Sequence, residues 1–143
     1  AVRSILDEAH ASMTWLDDQP QQVVHQDLND FNVVVDPAAQ HVSGVLDVGD
    51  AIVAPRQSEI IVAGAYGMLR QEDPRVAFDH VLQGFSTVLP MSEEDREHVF
   101  TLAAMRLCVN ATTWTQRQAN ARDDYGNRRM AATWPAIEKI AAA

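Results

Sequence analysis

The sequence runs to 143 residues, 47% of them hydrophobic, with 11 basic against 20 acidic side chains and a formal net charge of −9. A chain of that length and apolar content is one core-burying domain and not a disordered segment, and its acidic balance argues against a nucleic-acid surface while suiting a cationic small-molecule substrate. No apolar run is long enough to span a bilayer, no signal peptide is visible, and a lone cysteine, Cys108, cannot organise a disulfide framework, so a cytoplasmic protein is expected. Val2, Ile5, Leu6, Ala9, Met13 and Leu16 then recur at helical spacing and predict an amphipathic helix over 2–17. The stretch Gln19-Pro20-Gln21-Gln22 breaks it.

The segment that follows, His25-Gln26-Asp27-Leu28-Asn29-Asp30-Phe31-Asn32, has the His-x-Asp-x-x-x-x-Asn spacing of a kinase catalytic loop. Residues 33–37 and 42–46 read as two strands joined by a turn, and Asp47 stands directly after the second, within Gly44-Val45-Leu46-Asp47-Val48-Gly49-Asp50. Phosphoryl transfer asks a protein mainly for positioning and charge neutralisation. In that chemistry Asp27 would accept the proton of an attacking hydroxyl. Asn32 and Asp47, brought together by the hairpin, would hold the magnesium ion that bridges the phosphates of ATP, since magnesium takes oxygen ligands and keeps several waters. His25 reads as structural, its imidazole fixing the loop through backbone hydrogen bonds. Asp30 and Asp50 flank the site, where each either binds an ammonium group or caps a turn. Asp, Asn and Gly punctuate any turn. Ordinary punctuation does not account for His, Asp and Asn at this spacing with an Asp after the hairpin.

Beyond the hairpin, Ser58 to Leu69 predicts a largely apolar helix with Glu59 in its first turn. Asp73-Pro74 starts another, with Phe78, Val81, Leu82, Phe85 and Leu89 as its buried face. Ser92 and Asp95 approximate a capping box that opens the longest helix, to about Gln118. That helix carries one apolar stripe of Phe100, Ala104, Leu107, Ala111 and Trp114 and an opposite one of Leu102, Met105 and Val109, the mark of a central helix. Arg106 lies among these residues and needs a partner, because an unpaired buried charge is costly. An ion pair with Glu59 is the preferred reading and direct substrate contact the other. Residues 120–126 read as a loop, followed by one or two short helices. His10, His41, His80 and His98 lack metal-ligand spacing and read as surface histidines, and Arg128-Arg129 is too short for a nucleic-acid patch.

From His25 to Asn32 and from Gly44 to Ala51 the chain resembles the aminoglycoside phosphotransferase and choline kinase superfamily, and most closely its hydroxylysine kinase branch. That branch includes phosphotransferase modules fused to class III aminotransferases. Glu59-Ile60-Ile61-Val62-Ala63, the helix carrying Arg106 and the stretch from Asp124-Tyr125 to Trp134 look similar too. Gln26 departs from the family, where glycine is usual, and so does Val48, where an aromatic residue is more common. The resemblance implies a mainly α fold with a small β-hairpin, the C-terminal catalytic lobe of a kinase-like α+β fold, covering residues 1–143. It implies ATP as phosphoryl donor, Mg2+ as cofactor, and a small amino-bearing acceptor: a hydroxylated amino acid, an amino alcohol or an aminoglycoside. Asp30, Asp50, Glu59 and Arg106 are the residues it would set around that acceptor, with Glu59 more often a structural anchor.

A complete kinase of this kind also needs a smaller lobe with a phosphate-covering loop and a strand lysine. The first glycine here is Gly44 and the only lysine is Lys139. The nucleotide-binding lobe is therefore expected from elsewhere in the same protein, and the isolated chain is expected to be inactive. Two other classes compete. One is a regulatory or vestigial module of a multidomain enzyme such as an aminotransferase fusion. The other is a protein kinase, against which stands the missing Ala-Pro-Glu element after Asp47.

Overall fold

Ser92 and Asp95 exchange hydrogen bonds, Asp95 N–H to Ser92 Oγ at 3.1 Å and Ser92 N–H to Asp95 Oδ2 at 3.0 Å. This reciprocal cap satisfies two N-terminal donors and opens α4 (Glu93–Gln118), the longest helix. In the computed structural model, which describes residues 2–38, 40–118 and 131–142, α4 is the centre of the fold. Against it pack α1 (Val2–Asp17), α2 (Ser58–Gly67) and α5 (Thr133–Ile140), while α3 (Pro74–Ser86) lies on α2 and α5. The fold is mainly α with small antiparallel sheets, as the resemblance implied. The loop read at 120–126, the stretch beginning Asp124-Tyr125 and the pair Arg128-Arg129 lie outside the described residues.

Asp73 starts α3 by accepting from the backbone N–H groups of Arg75 and Val76, with Pro74 at the first helical position. The core joins Ile5 and Ala9 of α1, Ile60, Ile61 and Ala65 of α2, Phe78 and Leu82 of α3, Leu102, Leu107 and Ala111 of α4, and Ile137 of α5. A Cβ on Gly64 would sit 2.5 Å from a ring carbon of Phe78, so only glycine lets α2 and α3 approach this closely. The lone lysine is structural: Lys139 Nζ donates to the carbonyls of Gln71 and Glu72 at 2.8 and 2.9 Å, tying α5 to the α2–α3 link. Cys108 is buried in α4, and burial pushes its thiol up.

Two details of α1 and α4 differ from the sequence reading. Leu6 and Met13 are exposed, and the inward face continues instead through Ser12, which is buried. Its hydroxyl is satisfied by His98 Nδ1 of α4 at 3.0 Å. His98 is thus no lone surface histidine; it stacks on Trp15 with ring centroids 4.8 Å apart. The Trp15 indole N–H donates to Asp95 at 3.1 Å. Burial works against the Asp95 charge, but the bonds from Ser92 and Trp15 outweigh it and hold the carboxyl below its ordinary value.

The hairpin is formed by β2 (Val33–Val35) and β3 (Val42–Val45), with a bulge between Val34 and Val35. A second antiparallel pair was not read from the sequence. The Gln-rich segment expected only to end α1 supplies β1 (Gln21–Val24), which pairs with β4 (Ile52–Pro55) from Gln21↔Pro55 to Val24↔Ile52. That sheet is what positions the site. His25 leaves one of its strands, and Asp50 stands just before the other, so the 25–32 loop and the Asp47 segment start and finish at the same sheet end. Val23 and Val53 face each other on its outer side, each 71% exposed, with Leu46, Val48 and Ile52 also exposed nearby.

Candidate active site

His25 is the hub of the loop. Its Nδ1 accepts from Asp27 N–H at 3.3 Å, so the ring proton sits on Nε2, which donates to Leu46 O at 2.8 Å. The Glu59 carboxylate accepts from His25 N–H and anchors the strand-to-loop exit from α2. One imidazole therefore connects the residue expected to take a proton with the residue just before Asp47. A second link runs from Leu46 N–H to Asn32 O at 2.8 Å. The Asn32 side chain, buried beneath the loop, donates through Nδ2 to the Asp27 carbonyl at 2.8 Å and to Asp27 Oδ2 at 2.9 Å. That turns its Oδ1 away from Asp27. Asn29, which the sequence reading passed over, is buried and braces the same turn by accepting from Phe31 N–H at 2.8 Å. The Asx-turn habit of Asn two residues before a backbone donor is the signal that would have found it.

Three residues here hold left-handed backbone without being glycine: Gln26 at φ 67°, Asp47 at φ 58° and Arg70 at φ 64°. Each costs about 1–2 kcal/mol relative to an ordinary conformation, a strain that packing elsewhere must sustain. The conformation at Gln26 is the reason glycine suits this position. Its side chain does not line the loop's cavity; it lines a neighbouring, largely apolar pocket with Met13, Leu16, Ile61 and Leu102, which shares Arg106 and Val109 with that cavity.

Asp27, Asp30 and Asp50 come together with Arg70 and Arg106 on a cavity of about 480 Å³. One face of α4 forms its wall, through Arg106, Val109, Asn110, Thr113 and Trp114 at the i, i+3, i+4, i+7, i+8 positions. Val109 and Trp114 were read as parts of two opposite core stripes. Trp114 does pack on the core, yet it also faces the cavity, and Val109 is exposed to it. Asp47 and Glu59 do not line this cavity. Asp47 stands exposed before a single 3-10 turn (Val48–Asp50), and Glu59 lies behind the loop on His25.

Two expected settings change. Asp30 pairs with Arg70 at 2.9 Å, a partner the sequence reading did not supply. The preferred ion pair of Arg106 with Glu59 is not formed. Glu59 Oε2 accepts from the His25 backbone while its Oε1 is buried without a hydrogen bond, and Arg106 lines the cavity without an ion-pair partner among the described residues. Its Nε is buried and makes no hydrogen bond. The cavity is thus bipolar, where the sequence suggested an acidic one.

Among the described residues no three His, Cys, Asp or Glu side chains gather as a metal cage. The Asn32 backbone is bonded to Leu46, the residue before Asp47, so the two oxygen-bearing side chains expected to hold a metal belong to joined segments. That set fits a magnesium ion that keeps its waters and arrives on phosphates, rather than one enclosed by protein.

A model described as the phosphotransferase enzyme family matches residues 2–98. The chain is also similar to proteins named hydroxylysine kinase. It is 32% identical to that of Mus musculus over 101 residues, covering 66% of this chain and 27% of the relative. Identity is 32% over 90 residues for that of Xenopus laevis, covering 57% and 24%. For that of Danio rerio it is 29% over 122 residues, covering 77% and 34%. The chain therefore spans about a quarter to a third of the length of these relatives. No solved structure matches. Among the described residues no helix is long and apolar enough to cross a membrane.

Proposed function

The chain belongs to the phosphotransferase enzyme family, and from that premise we propose that it carries the catalytic lobe of an ATP-dependent kinase. The acceptor is the hydroxyl of a small amino-bearing molecule: a hydroxylated amino acid, an amino alcohol or an aminoglycoside. The observation that supports this most is the hydrogen-bonded unit of Asp27, His25, Leu46 and Asn32, in which Asp27 lines the cavity and Leu46 immediately precedes Asp47. The names of the hydroxylysine kinase relatives point to the same acceptor class.

In this reading the acceptor hydroxyl sits against Asp27. Its oxygen forms a bond to the γ-phosphorus while the bond from that phosphorus to the bridging oxygen of ADP breaks, and the hydroxyl proton passes to the Asp27 carboxylate. Asn32 orients Asp27 through Nδ2 and, with Asp47, would hold the magnesium ion. When bound, that ion neutralises the charge on the transferred and leaving oxygens. Asp50 offers the acceptor's ammonium a carboxylate, while Glu59 acts on the loop through His25.

The nucleotide-binding lobe is assigned to other parts of the same protein. The exposed apolar face of Val23, Leu46, Val48, Ile52 and Val53 is where it would close. The cytoplasm is the compartment proposed, with the one cysteine unbridged and buried.

The test is a panel of hydroxyl compounds offered with Mg-ATP to the full-length protein, with ADP release as readout. Amino-bearing acceptors should be used first, and the isolated chain should transfer negligibly to any of them. Selective use of neutral sugars or of hydroxy acids lacking an amine would overturn the acceptor class. Robust turnover by the isolated chain would overturn the lobe assignment.

A further inference from the structure

Among the described residues, the cavity beside Asp27 is lined by three carboxylates and two guanidinium groups. One of each is already spent, because Asp30 and Arg70 form an ion pair at 2.9 Å. Asp27 receives Asn32 Nδ2 at 2.9 Å and is set toward the reacting hydroxyl. What remains is one carboxylate, Asp50, and one guanidinium, Arg106. Arg106 is half-buried, stands on the α4 wall of the cavity, has no ion-pair partner among the described residues, and keeps a buried Nε without a hydrogen bond. A half-buried guanidinium on a cavity wall suits a planar anion that can take its donors pairwise, and a carboxylate meets that geometry.

We infer that Arg106 is a specificity-determining residue that binds the carboxylate of the acceptor, so that the site selects a zwitterion carrying both a carboxylate and an amine. The inference rests on the phosphotransferase reading of this cavity and deepens it, by separating amino acids from amino alcohols and aminoglycosides. A simply acidic pocket would favour whichever amine carries most positive charge. A bipolar one disfavours polyamines without a carboxylate, because Arg106 would then repel them with no described acidic side chain paired to it.

The substitutions are Arg106→Gln, which removes the charge, and Arg106→Lys, which keeps the charge but loses the fork. Each is made in the full-length protein and compared with wild type on two probes: hydroxylysine and its decarboxylated counterpart, a diaminopentanol. Wild type should prefer the carboxylate-bearing probe. Arg106→Gln should lower kcat/KM for it by ~30- to 1000-fold through KM, with the diaminopentanol and the KM for Mg-ATP little changed. Arg106→Lys should recover part of the loss. An equal loss on both probes would make Arg106 structural, and a loss confined to the KM for Mg-ATP would make its anion a nucleotide phosphate; either overturns the inference.

Binding without ATP is followed in parallel by the fluorescence of Trp114, which lines the same cavity. Binding of hydroxylysine by wild type that is lost in Arg106→Gln supports the inference even if no phosphoryl transfer is seen, in which case the phosphotransferase reading alone fails. Equal binding by wild type and variant overturns the inference whether or not transfer occurs.

Discussion

Replacement of Asp27 by asparagine in the full-length protein is expected to lower kcat by ~10²- to 10⁴-fold, the usual contribution of a positioned general base, with the KM for Mg-ATP little changed. The expectation is sharp because the change is nearly isosteric. An asparagine oxygen can still accept the bond that Asn32 Nδ2 gives to Asp27 Oδ2 at 2.9 Å, and the backbone contacts of Asp27 N–H with His25 and of Asp27 O with Asn32 are untouched. The loop should keep its shape and lose only its proposed proton acceptor. Steady-state kinetics with saturating acceptor and varied Mg-ATP provide the check. Turnover near the wild-type rate would remove Asp27 from the chemistry.

Asp47→Asn should act differently. Asparagine tolerates left-handed backbone about as well as aspartate does, so the φ of 58° is retained and the fold with it. What is lost is the carboxylate proposed to hold the metal-nucleotide. The KM for Mg-ATP should rise and kcat fall together, with kcat/KM down on the order of 10²-fold. The defect should ease as free magnesium is raised. A variant that loses kcat alone, at an unchanged magnesium requirement, would place Asp47 outside the metal site.

The site was legible in the sequence where its signal is local. His25, Asp27 and Asn32 fall within one loop, where hydrogen bonds join them, and a short hairpin returns Leu46, just before Asp47, to the same loop. The caps at Asp73 and at Ser92 with Asp95 were readable for the same reason. What escaped is non-local. β1 and β4 pair across the whole catalytic segment, and a Gln-rich stretch gives no strand signal until its partner is known. Asp30 and Arg70 meet because α2 returns to the loop, a contact that no spacing rule encodes. Arg106 was assigned to Glu59 on charge alone, whereas the fold gives Glu59 a backbone donor and leaves Arg106 to the cavity. Ser12 and His98 show the same logic on the far side of α4: two polar residues on separate helices are accommodated inside because they satisfy each other.

Phosphorus NMR of a reaction holding the full-length protein, Mg-ATP and an amino-bearing hydroxyl acceptor tests the assignment most directly. The account predicts a new phosphomonoester resonance on the acceptor oxygen, growing in step with ADP, dependent on magnesium and all but absent with Asp27→Asn. Release of inorganic phosphate alone, or a phosphomonoester that forms equally fast with Asp27→Asn, would contradict it.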